Sequence, residues 1–173
     1  TTAKNGSGGV NGGITNGTWS VAADLVLLLS DDTLTVTASP GEYGVPEPPY
    51  GITNDVPPGT GFTCSAPAIA ALDTGLRGVC AGYALYTNDV FAATDTTNAF
   101  SYTQTVRGTL VWQWQRQWEL TFLAGAGWSV NHGGGWYDEG SAATVTAQPA
   151  AGYRFHYWSG DVPEGEALNA TAT

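Results

Sequence analysis

Methionine is absent from this chain of 173 residues, lysine occurs once, at Lys4, and cysteine and histidine occur twice each. Five basic residues stand against fifteen acidic ones, a formal charge of −10. A surface of that sign repels phosphate backbones and anionic lipid, so nucleic acid is excluded as a partner. No apolar run approaches the roughly 20 residues of a membrane-spanning helix. The most apolar window, Leu25 to Leu29 (LVLLL), is far too short, and no membrane insertion is expected. The opening TTAKNGSGGVNGG has no apolar core of the signal-peptide kind, so in an exported protein Thr1 is expected to be a mature or engineered start. Two thiols and two histidines far from them in sequence make a poor zinc site.

What the chain does have is 42% hydrophobic residues, 24 glycines, abundant Thr and Asn, and seven tryptophans. That content supports a packed interior and excludes global disorder. Low charge with acidic bias fits an exported β-protein better than a cytosolic enzyme. In that setting the even pair Cys64 and Cys80 points to a disulfide closing a loop of about 15 residues, worth roughly 3 kcal/mol by chain entropy. The alternative is two buried thiols.

Residues 1–18 are Gly, Asn, Thr and Ser without apolar periodicity, the composition of a flexible arm. Trp19 to Leu29 then turns apolar, and Thr33 to Ala38 (TLTVTA) alternates as a half-buried strand does. Six prolines between Ser39 and Thr60 exclude long regular elements there. Phe62 to Ser65 and Val79 to Tyr86 read as strands with the cysteines near their facing ends, and Ala66 to Leu76 has room for a helical turn or two. The strongest signal lies between Leu110 and Phe122. Leu110, Trp112, Trp114, Arg116, Trp118, Leu120 and Phe122 hold the even positions, while Val111, Gln113, Gln115, Gln117, Glu119 and Thr121, mostly polar, alternate with them. Period two means a strand, or two with a bend near Arg116. Trp112, Trp114 and Trp118 on one face are core residues or, alternatively, a sugar-stacking platform.

The run GYRFHYWSGDVPEG, Gly152 to Gly165, preceded by GGGWYDEGSAATVTAQPAA from Gly133 to Ala151, resembles the divergent internalin-type B-repeat. The resemblance is strongest over residues 119–173, and a weaker second copy is legible over 33–118. It implies a small β-domain strung along secreted and cell-surface bacterial proteins, with Trp136 and Trp158 as structural residues. It also implies a further apolar strand after GDVPEG, where this sequence ends in NATAT.

Little here supplies converging acid, base or nucleophile groups. His156 sits in an alternating strand beside Tyr157, as a packing residue rather than a base, and His132 lies in the turn NHGGG. No serine stands in a G-x-S-x-G context, and no helix follows the glycine runs. Asp31-Asp32, Asp138-Glu139 and the set Asp161, Glu164 and Glu166 match no calcium-loop spacing and read as solvated turn acids. Asn5, Asn16 and Asn169 open glycosylation sequons, which in a bacterial protein usually stay idle.

The expected fold is all-β, two small antiparallel β-sheet domains in tandem with hairpins: an arm over 1–18, an expanded repeat over 19–118 and a compact repeat over 119–173 that lacks its last strand. No enzymatic activity and no cofactor are expected. The expected role is that of an extracellular or cell-surface structural subunit, with copies of itself as partners. Its donor strand would be Trp19, Val21, Leu25, Val26, Leu27, Leu28 and Leu29, inserted into the second repeat of a neighbour. Other readings keep that strand within its own chain, or take the sequence as part of a longer tandem array. The functional alternative is an adhesive or carbohydrate-binding module with glycans as partners.

Overall fold

The computed structural model describes residues 11–15, 18–22, 33–123 and 125–173. Among them every regular element is a β-strand, in keeping with the expected class. The chain divides into two compact units, Thr1–Asp31 and Asp32–Thr173. In the first, β1 (Asn11–Thr15) pairs antiparallel with β2 (Thr18–Ala22), setting Ile14 opposite Trp19 and Gly12 opposite Val21. The expected irregular arm thus contributes a strand. The sequence signal for it is Asn16-Gly17, the pair most favoured between two strands of a hairpin.

The second unit is organised around β10 (Gly108–Leu120), one continuous strand of 13 residues where a bend had been an option. Its first half pairs in parallel with β3 (Leu34–Ser39), and along most of its length it pairs antiparallel with β7 (Leu76–Thr87). β4 (Gly51–Thr53), β6 (Ile69–Asp73) and β8 (Val90–Asp95) complete the sheet around them. The expectation of antiparallel pairing is corrected at one place: β3–β10 is parallel, the one such pairing among the described strands, and the long stretch of chain between them leaves room for the crossover a parallel pair needs. Ala66 to Leu76, expected to hold a helical turn, instead carries β6 and a tight reversal into β7. A second sheet consists of β5 (Thr60–Ser65) and β9 (Ala99–Gln104).

The core lies between these two sheets. Leu34, Val36, Cys64, Tyr83, Leu85, Leu110, Trp112 and Trp114 belong to one buried cluster, with Phe62, Phe100 and Tyr102 packed against it. Alternation explains why: Leu110, Trp112 and Trp114 share the inner face of β10. Trp112 has no exposed surface. It meets Tyr83 and Phe100 edge-on at 6.0 and 6.1 Å, and those two rings stack at 3.8 Å. Trp114 is closed over by the proline-rich loop. Tyr43 packs edge-on at 6.0 Å, and the Trp114 indole N–H donates to Tyr50 Oη, whose own hydroxyl donates to the Tyr43 carbonyl. A bulge between Gln113 and Trp114 brings Gly82 hard against the backbone of Asp95, where a side chain has no room.

The expected disulfide is corrected: Cys64 and Cys80 are free thiols. Cys64 lies on β5 opposite Phe100, and Cys80 on β7 opposite Trp114, in different sheets rather than on facing strands. Burial pushes the Cys64 thiol up to about 11, with the Glu47 carboxylate adding to the rise. Burial also raises Cys80. Both thiols are therefore neutral near pH 7.

Candidate binding cleft

Past residue 114 the inner face of β10 leaves the core. Arg116 turns to Glu139 at 3.0 Å, and Trp118 is 48% exposed. Here β10 takes a new neighbour, β12 (Gly135–Asp138), with Trp118 opposite Tyr137 and Leu120 opposite Gly135. A separate small sheet follows, in which β11 (Trp128–Val130) and β14 (Thr171–Ala172) flank β13 (Val145–Pro149). Among the described residues from 119 onward, only Val145 and Ala172 are buried apolar side chains. That is little closed core for a stretch so rich in aromatic rings.

The rings line a cleft of about 810 Å³. Trp118 and Leu120 of β10 and Tyr137 of β12 form part of the lining, Val145, Ala147 and Ala172 of β13 and β14 another, and Tyr153 to Trp158 a third. The segment Tyr153–Trp158, expected to be a strand holding His156, is irregular; the Trp158 backbone N–H donates to the Ala167 carbonyl at 2.8 Å instead. Trp158 is held in place, its indole N–H donating to the Asn169 carbonyl at 2.8 Å and its ring meeting Phe155 at 5.3 Å and Trp128 at 6.5 Å. Tyr153 lies so close over Gly127 that a side chain there would overlap its ring. Trp128, Tyr153 and Tyr157 stay substantially exposed. Polar groups share the lining: Glu119, Arg154, His156 and Asp161.

The sequence-stated site residues separate in space. Trp112 and Trp114 are core, so they form no exposed platform with Trp118; of the three, Trp118 alone reaches the cleft. Trp19 and Val21 lie on β2, while Leu25, Val26, Leu27, Leu28 and Leu29 fall outside the described residues. His132 sits beside β12, where its ring is 2.5 Å from the Tyr137 hydroxyl and accepts from the Gly134 N–H. The turn acids are engaged singly: Asp138 accepts from Gln117, Glu139 pairs with Arg116, and Glu166 accepts from Asn169. No group of three or more His, Cys, Asp or Glu with metal-binding geometry occurs among the described residues. The cleft-lining Trp128, Tyr153 and Tyr157 were not picked out as site residues, although the motif containing two of them was.

The cleft is lined entirely by residues from 118 onward. Residues 118–173 match the family model of the divergent InlB B-repeat domain. The match covers about a third of the chain and takes in the tail of β10, the small sheet and the whole aromatic cleft. Over that third the chain is similar to a bacterial surface-repeat module, and the similarity points to the cell surface or the extracellular space as its setting. No curated protein and no solved structure matches the chain.

Proposed function

We propose that the chain is a structural, non-enzymatic subunit of a bacterial extracellular filament or surface appendage, in which the B-repeat third of one copy receives a β-strand from the next. The observation that carries this reading is the aromatic cleft beside β14. Among the described strands β14 has one neighbour, β13, so its other edge offers unpaired N–H and C=O groups. A strand laid there gains main-chain hydrogen bonds and buries rings now half in water, at about 1.5–3 kcal/mol for each large side chain fully covered. Because donor and acceptor are different parts of the chain, the contact is heterologous, and repetition extends rather than closes it.

Negative-stain electron microscopy of the full chain, beside a version lacking residues 1–29, tests this. Filaments from the full chain that vanish in the truncation are expected. Monodisperse particles from both refute self-assembly. A second reading rests on the exposed rings of Trp118 and Trp128 beside Glu119, Arg154 and Asp161: stacking and polar groups together suit a glycan. Glycan binding that is lost in Trp118→Ala, with no assembly by the full chain, would favour it.

A further inference from the structure

We infer that the strand taken up by the cleft is residues 25–29 of a second copy, seated with its C-terminal end at Arg154 so that Asp31 and Asp32 meet that guanidinium. The inference rests on the strand-acceptance reading above and adds the occupant, its direction and the residue that sets it.

The occupant follows from pattern. LVLLL is apolar at consecutive positions, so both faces of such a strand seek cover. A cleft lined by Trp118, Leu120 and Tyr137 from one sheet and by Val145, Ala147 and Ala172 from another offers cover on both faces. The run is also bounded by acids: Asp24 precedes it, and Asp31-Asp32 follows after Ser30.

The direction follows from charge. The described residues include four arginines. Arg77 donates to Gln117 at 2.8 Å and lies over the Trp136 ring at 4.2 Å. Arg107 pairs with Asp89, and Arg116 with Glu139. Arg154, exposed on the cleft lining, makes no ion pair or hydrogen bond among the described residues, in a chain where acids outnumber bases threefold. Glu119 and Asp161 also line the cleft and repel a carboxylate brought near them. An acidic strand end is therefore accepted where Arg154 supplies the opposite charge. The doubled acid at the C-terminal end of the run outweighs the single Asp24 at the other.

The test is binding of a fluorescently labelled peptide of residues 19–32 to the full chain at low micromolar concentration. Arg154 is exposed, so Arg154→Asp is expected to keep the wild-type circular dichroism and urea midpoint. The peptide is expected to bind the wild-type chain and to lose about fivefold in affinity for Arg154→Asp, the scale of a partly exposed ion pair reversed in sign. A peptide carrying Asp31→Arg and Asp32→Arg should reverse that preference. Equal binding of the native peptide to both chains overturns the Arg154 contact while leaving strand acceptance standing. Reversal by an Asp24→Arg peptide instead overturns the direction. Absence of peptide binding to either chain removes the inference together with the reading beneath it.

Discussion

Replacing Trp112 and Trp118 separately by alanine separates core from cleft on a single strand. Trp112 is fully enclosed, and removing a buried aromatic side chain costs about 3–5 kcal/mol, the cavity included. Its edge contacts with Tyr83 and Phe100 are part of that figure, not an addition to it. Trp118 keeps 48% of its surface exposed, so roughly half of an aromatic burial is at stake, about 1 kcal/mol. Its cation–π contact with Arg116, at 5.8 Å, adds a few tenths at such an exposed site. Urea unfolding followed by far-UV circular dichroism reads the difference. With a slope of about 2 kcal/mol per molar, Trp112→Ala should lower the midpoint by roughly 2 M and Trp118→Ala by about 0.7 M. Equal shifts, or a larger one for Trp118, would refute the division of β10 into a core half and a cleft half.

Further outcomes follow from the same packing. Gly82→Ala should destabilise by about 2 kcal/mol or more, because the new Cβ would stand 2.0 Å from the Asp95 carbonyl oxygen; a thermal midpoint equal to wild type counts against the bulge. Reductant should leave the unfolding midpoint unchanged, and Cys64 should react with Ellman's reagent only after denaturation; an oxidised mass under native conditions would restore the disulfide. Gln104 is buried and its amide makes no hydrogen bond, so Gln104→Leu should be neutral or stabilising by about 1 kcal/mol, and a large loss in urea unfolding would show a hidden partner. Stability should also fall at high pH. The Cys64 thiol ionises in the unfolded chain from its ordinary value of 9.0 but only near about 11 when folded. Below pH 9 nothing is lost; from there to about 11 the fall is on the order of 1.4 kcal/mol per pH unit. Burial-raised Tyr50, Tyr83 and Tyr102 extend the fall above pH 10. A Cys64→Ala chain with an undiminished slope between pH 9 and 10 would exclude the thiol as the source.

The sequence by itself determined the β class, the strand carrying Trp112 and Trp114, and the B-repeat motif near the C-terminus. Each of these is local: period-two alternation and a contiguous motif need no knowledge of distant residues. The strand over Leu110 to Phe122 was legible to within two residues at either end. What tertiary structure decided is where each part of that strand goes. The alternation runs from Leu110 to Leu120 with Arg116 as its one charged member on that face, yet only its first half finds a partner sheet in β5 and β9, and Trp114 is closed by a loop some 64 residues earlier in the chain. The cysteines illustrate the same limit. Their spacing fits a bridge, but strand pairing places one thiol in each of two sheets, and spacing carries no record of pairing. The cleft is likewise a product of assembly: Trp118, Trp128 and Tyr153 converge because β10 changes neighbours at β12, and burial is a property of what packs against a side chain, not of its place in the sequence.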